Sequence, residues 1–138
     1  LQKYFDFITD DVVQSSTWLA GGGDQATEGS CGALSAGIMA LCAKYGPRAK
    51  VLSPEEKEKF DKARDNAHEF RDWFIEKFGG ATCRDVQVWL LGRSFNLMDA
   101  EERKAKKECH QKVGREFNEI SAATAVKVAE MLAREAVD

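Results

Sequence analysis

Between Ser30 and Gly46, the residues Ala33, Leu34, Ala36, Gly37, Ile38, Met39, Ala40, Leu41 and Ala43 leave almost no polar side to a helix drawn through them. A helix that is apolar around most of its circumference is stable only when other elements surround it. Small residues at 33, 36, 37, 40 and 43 let neighbours approach closely. Gly32 and Gly37 weaken the helix, a loss that only tight packing offsets. The segment therefore predicts a central buried helix, N-capped by Ser30, running to about Tyr45 and closed by Gly46-Pro47.

Helix breakers divide the rest of the chain. Pro47 and Pro54 are the two prolines, and the eleven glycines gather at a few points. From Tyr4 to Ala20, Phe5, Ile8, Val12 and Leu19 suit a first helix ended by Gly21-Gly22-Gly23. Ser53-Pro54-Glu55-Glu56 is a strong start signal, with an N-cap serine, proline at the first helical position and a glutamate three residues after the cap. Phe60, Ala63, Ala67, Phe70, Phe74 and Phe78 then recur every three or four residues up to Gly79-Gly80. Thr82-Cys83-Arg84-Asp85 has the form of a second capping box, opening a short helix through Val86, Val88, Trp89 and Leu90 to Gly92. Asp99 and Glu102 cap a last helical region, one helix or two broken near Gly114. Its stripe runs through Ala105, Cys109, Val113, Phe117, Ile120, Thr124, Val128 and Met131. No alternating run or hairpin turn predicts a strand. The expectation is an all-α fold in which residues 1–138 form a single-domain bundle of about five helices around the central buried one.

At 138 residues, with 43% apolar and 31% charged residues, such a chain can bury a core without a metal or disulfide staple. Its net charge of -3, from Lys+Arg 20 and Asp+Glu 23, comes without a basic cluster, so the electrostatic footprint of a nucleic-acid partner is missing. The apolar run from Ala33 to Ala43 falls well short of the roughly 18 residues of a membrane span. The chain opens at Leu1 with no readable signal peptide, so a processed or trimmed chain is expected. The glycine loop holds neither a phosphate-loop nor a dinucleotide-binding pattern.

The four cysteines, Cys31, Cys42, Cys83 and Cys109, show no C-x-x-C or zinc-ribbon spacing. Cys31 and Cys83 each fall at the predicted first turn of a helix, where unpaired backbone N–H groups and the helix dipole favour a thiolate. Both are candidate reactive or ligating sulfurs. Gly32 and the glycine loop would allow close backbone approach to whatever occupies the Cys31 site. Cys109 lies on the apolar stripe of its helix, where other helix ends can reach it. Cys42 follows Cys31 by about 16 Å along one helix axis, too far to share a disulfide or a metal with it. His110 could supply a fourth metal ligand, but adjacent helical residues diverge by about 100°, which opposes a joint site with Cys109. His68 reads as a solvated or ion-paired histidine, and Trp18, Trp73 and Trp89 as core or interface residues. Free cysteine also buries readily as a small hydrophobe, so packing competes with chemistry at each thiol.

Cys31-Gly32-Ala33-Leu34-Ser35-Ala36-Gly37 resembles the Cys-Gly-Ala-x-x-Gly signature of the C_GCAxxG_C_C family of redox-active bacterial and archaeal proteins. The glycine loop, Lys44-Tyr45-Gly46, Lys77-Phe78-Gly79, Thr82-Cys83-Arg84-Asp85 and the late Cys109 follow in the family's order, from about Ala20 to Met131. Three of the family's characteristic cysteines map to Cys31, Cys83 and Cys109. The first has no counterpart between Leu1 and Gly29, so it is expected upstream of Leu1 or missing from this member. The resemblance implies a redox or metal-associated role in a prokaryotic protein, with an iron–sulfur cluster or other metal as cofactor. It also implies an oxidoreductase or transporter-associated partner. The expected compartment is the cytoplasm, or the periplasm if a twin-arginine signal was removed.

The leading expectation is that Cys31, Cys83 and Cys109 converge, either as thiolate ligands or as an exchangeable dithiol–disulfide pair. The rivals are a non-catalytic helical binding or scaffold domain with packing cysteines, and a structural zinc site formed by the three cysteines with His110.

Overall fold

A computed structural model describes residues 1–48, 53–114 and 117–134. Six α-helices account for most of them: α1 (Asp10–Ser15), α2 (Gly32–Tyr45), α3 (Pro54–Phe78), α4 (Cys83–Leu91), α5 (Ala100–Val113) and α6 (Phe117–Ala133). The described residues contain no strand beyond one isolated bridge, Ser30 opposite Thr82, so the fold is all-α. The helix count is six rather than about five, because Gly114 takes φ +65° and ends α5 before α6 begins.

The first helix is much shorter than the span from Tyr4 to Ala20. It covers Asp10–Ser15 and passes through Ser16 into a short 3₁₀ turn, Thr17–Leu19. A hydroxyl run marks its C-terminal end. Ser15 Oγ donates to the Asp11 carbonyl at 2.7 Å, Ser16 Oγ to Val13 at 2.7 Å and Thr17 Oγ1 to Gln14 at 2.9 Å. Such side-chain bonds compete with the helical ladder.

The two strongest caps form as read. Ser53 Oγ accepts from Glu56 N at 3.2 Å with Pro54 at the first helical position, and Gly79 closes α3 in the left-handed region at φ +78°. Thr82 and Asp85 form a reciprocal capping box, each side chain accepting from the other's backbone N–H at 3.1 Å. Asp99 caps α5 by accepting from Glu102 N at 2.8 Å.

The start of α2 is displaced by one residue: its N-cap is Cys31, not Ser30. Ser30 is held extended opposite Thr82, so the chain turns into the helix only after it.

The core is built on α2. Leu34, Gly37, Ala40, Leu41 and Tyr45 are buried there, packed against α3 and α6. Phe70 and Phe74 on α3 are fully buried and Phe78 nearly so, while Val128 and Met131 close the core from α6. Phe74 and Phe78 meet edge to face with ring centroids 4.8 Å apart, and Phe78 meets Trp89 of α4 at 5.4 Å. Of the three tryptophans, Trp73 packs against the core, whereas Trp18 and Trp89 are exposed. The apolar circumference of α2 is not wholly wrapped by helices. Ala36 is exposed and lines a cavity, and Cys42 faces solvent.

Gly37 shows why small residues matter on this helix. A Cβ built there would stand 2.4 Å from the ring of Phe70, which has no free space to retreat into. Gly37→Ala would gain about 1 kcal/mol of helix propensity but overpack the core at a cost of about 1–3 kcal/mol. The variant is expected to be destabilised by about 1 kcal/mol in urea unfolding, and Gly37→Ala/Phe70→Leu to lose less than the sum of the single changes. An unchanged or raised midpoint for Gly37→Ala would show that the helices yield at this contact.

Candidate functional site: two thiols on one cavity

The glycine loop enters the site in an unusual backbone conformation. Gly21, Gly22 and Gly23 have φ of +70°, +90° and +78°, and Asp24, Gln25 and Thr27 also lie in the left-handed region, at +49°, +60° and +69°. For a β-branched residue this is strained, so the surroundings must hold Thr27 in place. It is buried, its Oγ1 donates to the Phe95 carbonyl at 3.1 Å, and its own carbonyl accepts from Arg84 N at 3.0 Å. The loop is thereby fastened to the start of α4 and to the segment after it. A Cβ on Gly22 would come within 3.0 Å of the Cys83 Cβ, so glycine lets the loop backbone lie directly on that cysteine.

Beyond the loop, Gly29–Cys31 pairs antiparallel with Ala81–Cys83. Cys31 N donates to the Ala81 carbonyl at 2.8 Å and Cys83 N to the Gly29 carbonyl at 2.9 Å, with Ser30 opposite Thr82. Side chains alternate across such a pair, so Cys31 and Cys83 share one face as diagonal neighbours. Each residue then opens a helix, Cys31 as the N-cap of α2 and Cys83 as the first residue of α4.

Both cysteines line a cavity of about 670 Å³ bounded by α1, α2, α5 and α6 and by the glycine loop. Most of its wall is apolar, and Lys106 of α5 lies at the same site. Cys83 is buried, and its Sγ accepts from Gln87 Nε2 at 3.3 Å, while Gln87 Oε1 accepts from Phe95 N at 2.9 Å. Gln87 is itself fully buried, which fixes the amide that meets the sulfur. Burial lowers the Lys106 ammonium below its ordinary value, and negative charge on Cys83 opposes that shift. The ammonium lies 4.4 Å from the centroid of the Phe117 ring.

The half-buried Cys31 departs from expectation. Burial is the largest influence and pushes its thiol up; the N–H groups of Ala33 and Leu34 pull it down, and Cys83 adds to the rise. A helix start alone favours the thiolate, but here desolvation exceeds it.

Cys109 does not line the cavity. Its thiol donates to the Leu91 carbonyl at 3.6 Å, and its side chain packs against the core. His110 borders a smaller hollow of about 430 Å³, its ring 5.4 Å from Phe117. Its buried Nε2 has no hydrogen-bond partner among the described residues. Cys42 and His68 are exposed, away from the site. A Cβ on Gly32 would stand 2.9 Å from the Leu19 carbonyl, so this glycine lets the start of α2 pass close to the chain entering the loop.

A tetrahedral zinc or a cluster needs about four protein ligands, and the donors at the cavity are two thiols beside an ammonium. Among the described residues, no three His, Cys, Asp or Glu side chains stand together in a way that could hold a metal ion. The described residues do not fit such a group. Thr27, Gln87 and Lys106 escape a motif reading. Gln87 alone left a signal, standing one helical turn after Cys83.

The fold and the cavity define a small helical protein carrying a pair of neighbouring, unbridged thiols. The chain belongs to the C_GCAxxG_C_C family: the family model described as "Putative redox-active protein (C_GCAxxG_C_C)" matches residues 1–131. No curated protein matches the chain, and no solved structure does. No helix among the described residues is long and apolar enough to cross a membrane.

With the Cys31 thiol raised above 9.0, the ordinary value, its thiolate fraction at any lower pH is smaller in the folded chain than in the unfolded one. Iodoacetamide should therefore alkylate Cys31 more slowly at pH 8 in native protein than in urea, and the native rate should still be climbing above pH 9. Site-resolved mass spectrometry reads both rates. Faster native labelling at pH 8 would mean that the backbone N–H groups outweigh burial.

Proposed function

We propose that Cys31 and Cys83 act as a dithiol–disulfide couple that exchanges an electron pair with an acceptor entering the cavity. The observation that carries this reading is that two thiols, on the same face of one antiparallel pairing, open on a common cavity that Cys109 does not line. Diagonal neighbours in such a pairing have α-carbons about 7–8 Å apart, and a disulfide spans about 4.4–6.8 Å. Closure therefore needs about an ångström of approach.

In this reading the two sulfurs take different parts. Cys31 is the more exposed and meets the acceptor. Its thiolate attacks a disulfide R–S–S–R, forming Cys31–S–S–R and releasing one RS⁻. The Cys83 thiolate then attacks the Cys31 sulfur, closing the Cys31–Cys83 bond and expelling the second RS⁻. The dithiol loses two electrons and two protons, and the acceptor disulfide becomes two thiols. In the reverse direction a reducing dithiol, such as that of a partner oxidoreductase, attacks Cys31, and Cys83 leaves as a thiolate. The Lys106 ammonium and the Gln87 amide face that charge.

Treatment with diamide should remove two protons from the mass of the reduced protein, with a Cys31–Cys83 cross-link found by peptide mapping. Cys31→Ser and Cys83→Ser should each abolish this cross-link, whereas Cys42→Ser and Cys109→Ser should retain it. Lys106→Met should let the Cys31 mixed disulfide persist longer, because the positive charge that faces the attacking Cys83 thiolate is lost. A Cys31–Cys109 or Cys83–Cys109 cross-link in place of the expected one, or stoichiometric metal lost on changing Cys31 and Cys83, would overturn the reading.

A further inference from the structure

The cavity is larger than the exchange of two electrons needs. Its wall follows α2 from Cys31 and Gly32 through Ala36 to Ala40, about 13 Å of helix at 1.5 Å per residue. Along that length α2 presents mostly small side chains and Met39, with Ala125 of α6 also on the wall. The two thiols and Lys106 share this cavity, the ammonium lying near enough to respond to charge on Cys83, and Ser16, Ser121 and Thr124 are the hydroxyls on its wall. A mostly apolar cavity that holds its nucleophiles beside a length of α2 suits a substrate whose reactive group sits at the end of a hydrocarbon body. Charged disulfides such as cystine would have to shed water from two ammonium groups, for which the wall offers no carboxylate, and from two carboxylates, for which it offers Lys106 alone.

Resting on the dithiol reading above, we infer that the acceptor is a low-molecular-weight disulfide with a hydrocarbon body, bound lengthwise along α2 with its sulfur end at Cys31. In the exchange, the thiolate that leaves Cys31 departs beside the Lys106 ammonium. The released product is then a hydrocarbon thiol, whose apolar part loses its contacts with the cavity wall on release.

Alkyl methanethiosulfonates test this in the full chain, because their transfer of an alkylthio group is irreversible. The Cys31 thiolate takes RS from CH₃SO₂–S–R, forming Cys31–S–S–R and releasing methanesulfinate. Cys83 then expels RS⁻ as the internal disulfide closes. Using Cys83→Ser protein stops the reaction at the first adduct, so labelling is read directly by site-resolved mass spectrometry. Cys42, exposed on the same chain, is the internal control. Each buried methylene is worth roughly a fourfold gain, so burying two of the five extra methylenes of a hexyl reagent gives a preference over methyl of about tenfold or more. That preference is expected at Cys31 and not at Cys42.

Ala36→Trp fills the cavity from an exposed position on α2, and Ala125→Phe fills it from α6; each should erase the chain-length preference at Cys31 while methyl transfer continues. Equal hexyl-to-methyl ratios at Cys31 and Cys42, or a preference that survives both variants, would overturn the inference. The diamide cross-link is read separately on unmodified protein. Its presence with no chain-length preference sinks the hydrocarbon substrate alone, and its absence sinks the dithiol couple.

Discussion

The antiparallel pairing of Gly29–Cys31 with Ala81–Cys83 holds two helix starts, distant in sequence, at one place. Two backbone hydrogen bonds do this, and helix packing delivers the partners. α2 leaves the site and α3 returns to it, as successive contacts along the two helices record. Lys62 lies over Tyr45 near the far end of α2, and Gly37 meets Phe70 midway along it. The 14 residues of α2 span about 21 Å and the 25 of α3 about 37 Å. The return helix therefore overshoots at its N-terminal end. This accounts for Phe60, which belongs to the aromatic stripe by period and yet is 47% exposed. The last turns of α3 bring Gly79 and Ala81 back to the pairing, and the Thr82–Asp85 capping box starts α4 there without another loop.

Against this pairing lies the left-handed loop, where three non-glycine residues each cost about 1–3 kcal/mol in strain. The strain is offset locally. Thr27 is buried and its hydroxyl donates to Phe95, whose own N–H meets Gln87, which in turn donates to the Cys83 sulfur. A continuous chain of polar contacts thus runs from the strained residue to the thiol. The loop backbone at Gly22 lies on the same cysteine from the other side. Cys83 is gripped by side chain and loop, whereas Cys31 is half-buried against the core and its thiol meets the backbone N–H groups of Ala33 and Leu34.

Much of the fold was legible because its signals are local. Ser53-Pro54, Thr82-Asp85, Gly79, Gly92 and Gly114 act within a turn of themselves, and the stripe through Phe70, Phe74 and Phe78 records one helix face. What escaped depends on competition or on tertiary placement. Ser15, Ser16 and Thr17 were consistent with helix by pattern, but their hydroxyls bond back to carbonyls of the last turn and compete with the ladder there. Ser30 had the chemistry of a cap and lost the position because Thr82 holds it extended. The nearness of Cys31 and Cys83 follows from a pairing across the length of α3, which no spacing rule encodes. Cys109 shares the stripe that suggested an inward thiol, yet its hydrogen bond goes to the end of α4 rather than to the cavity.

The same cavity produces opposite tendencies at its ionisable groups, and these bear on the direction of exchange. Burial favours the neutral thiol at Cys31 and the neutral amine at Lys106. Negative charge on Cys83 reinforces the first and opposes the second, because like charges repel across the pair while the ammonium gains a partner. The pair therefore accommodates one negative charge more readily than two. In a couple of this kind, the sulfur that leaves when the disulfide is attacked is the one whose charge is compensated. The two sulfurs thus differ in surroundings because of where the helices put an ammonium and an amide, even though both thiols stand at helix starts and would be equivalent by motif alone.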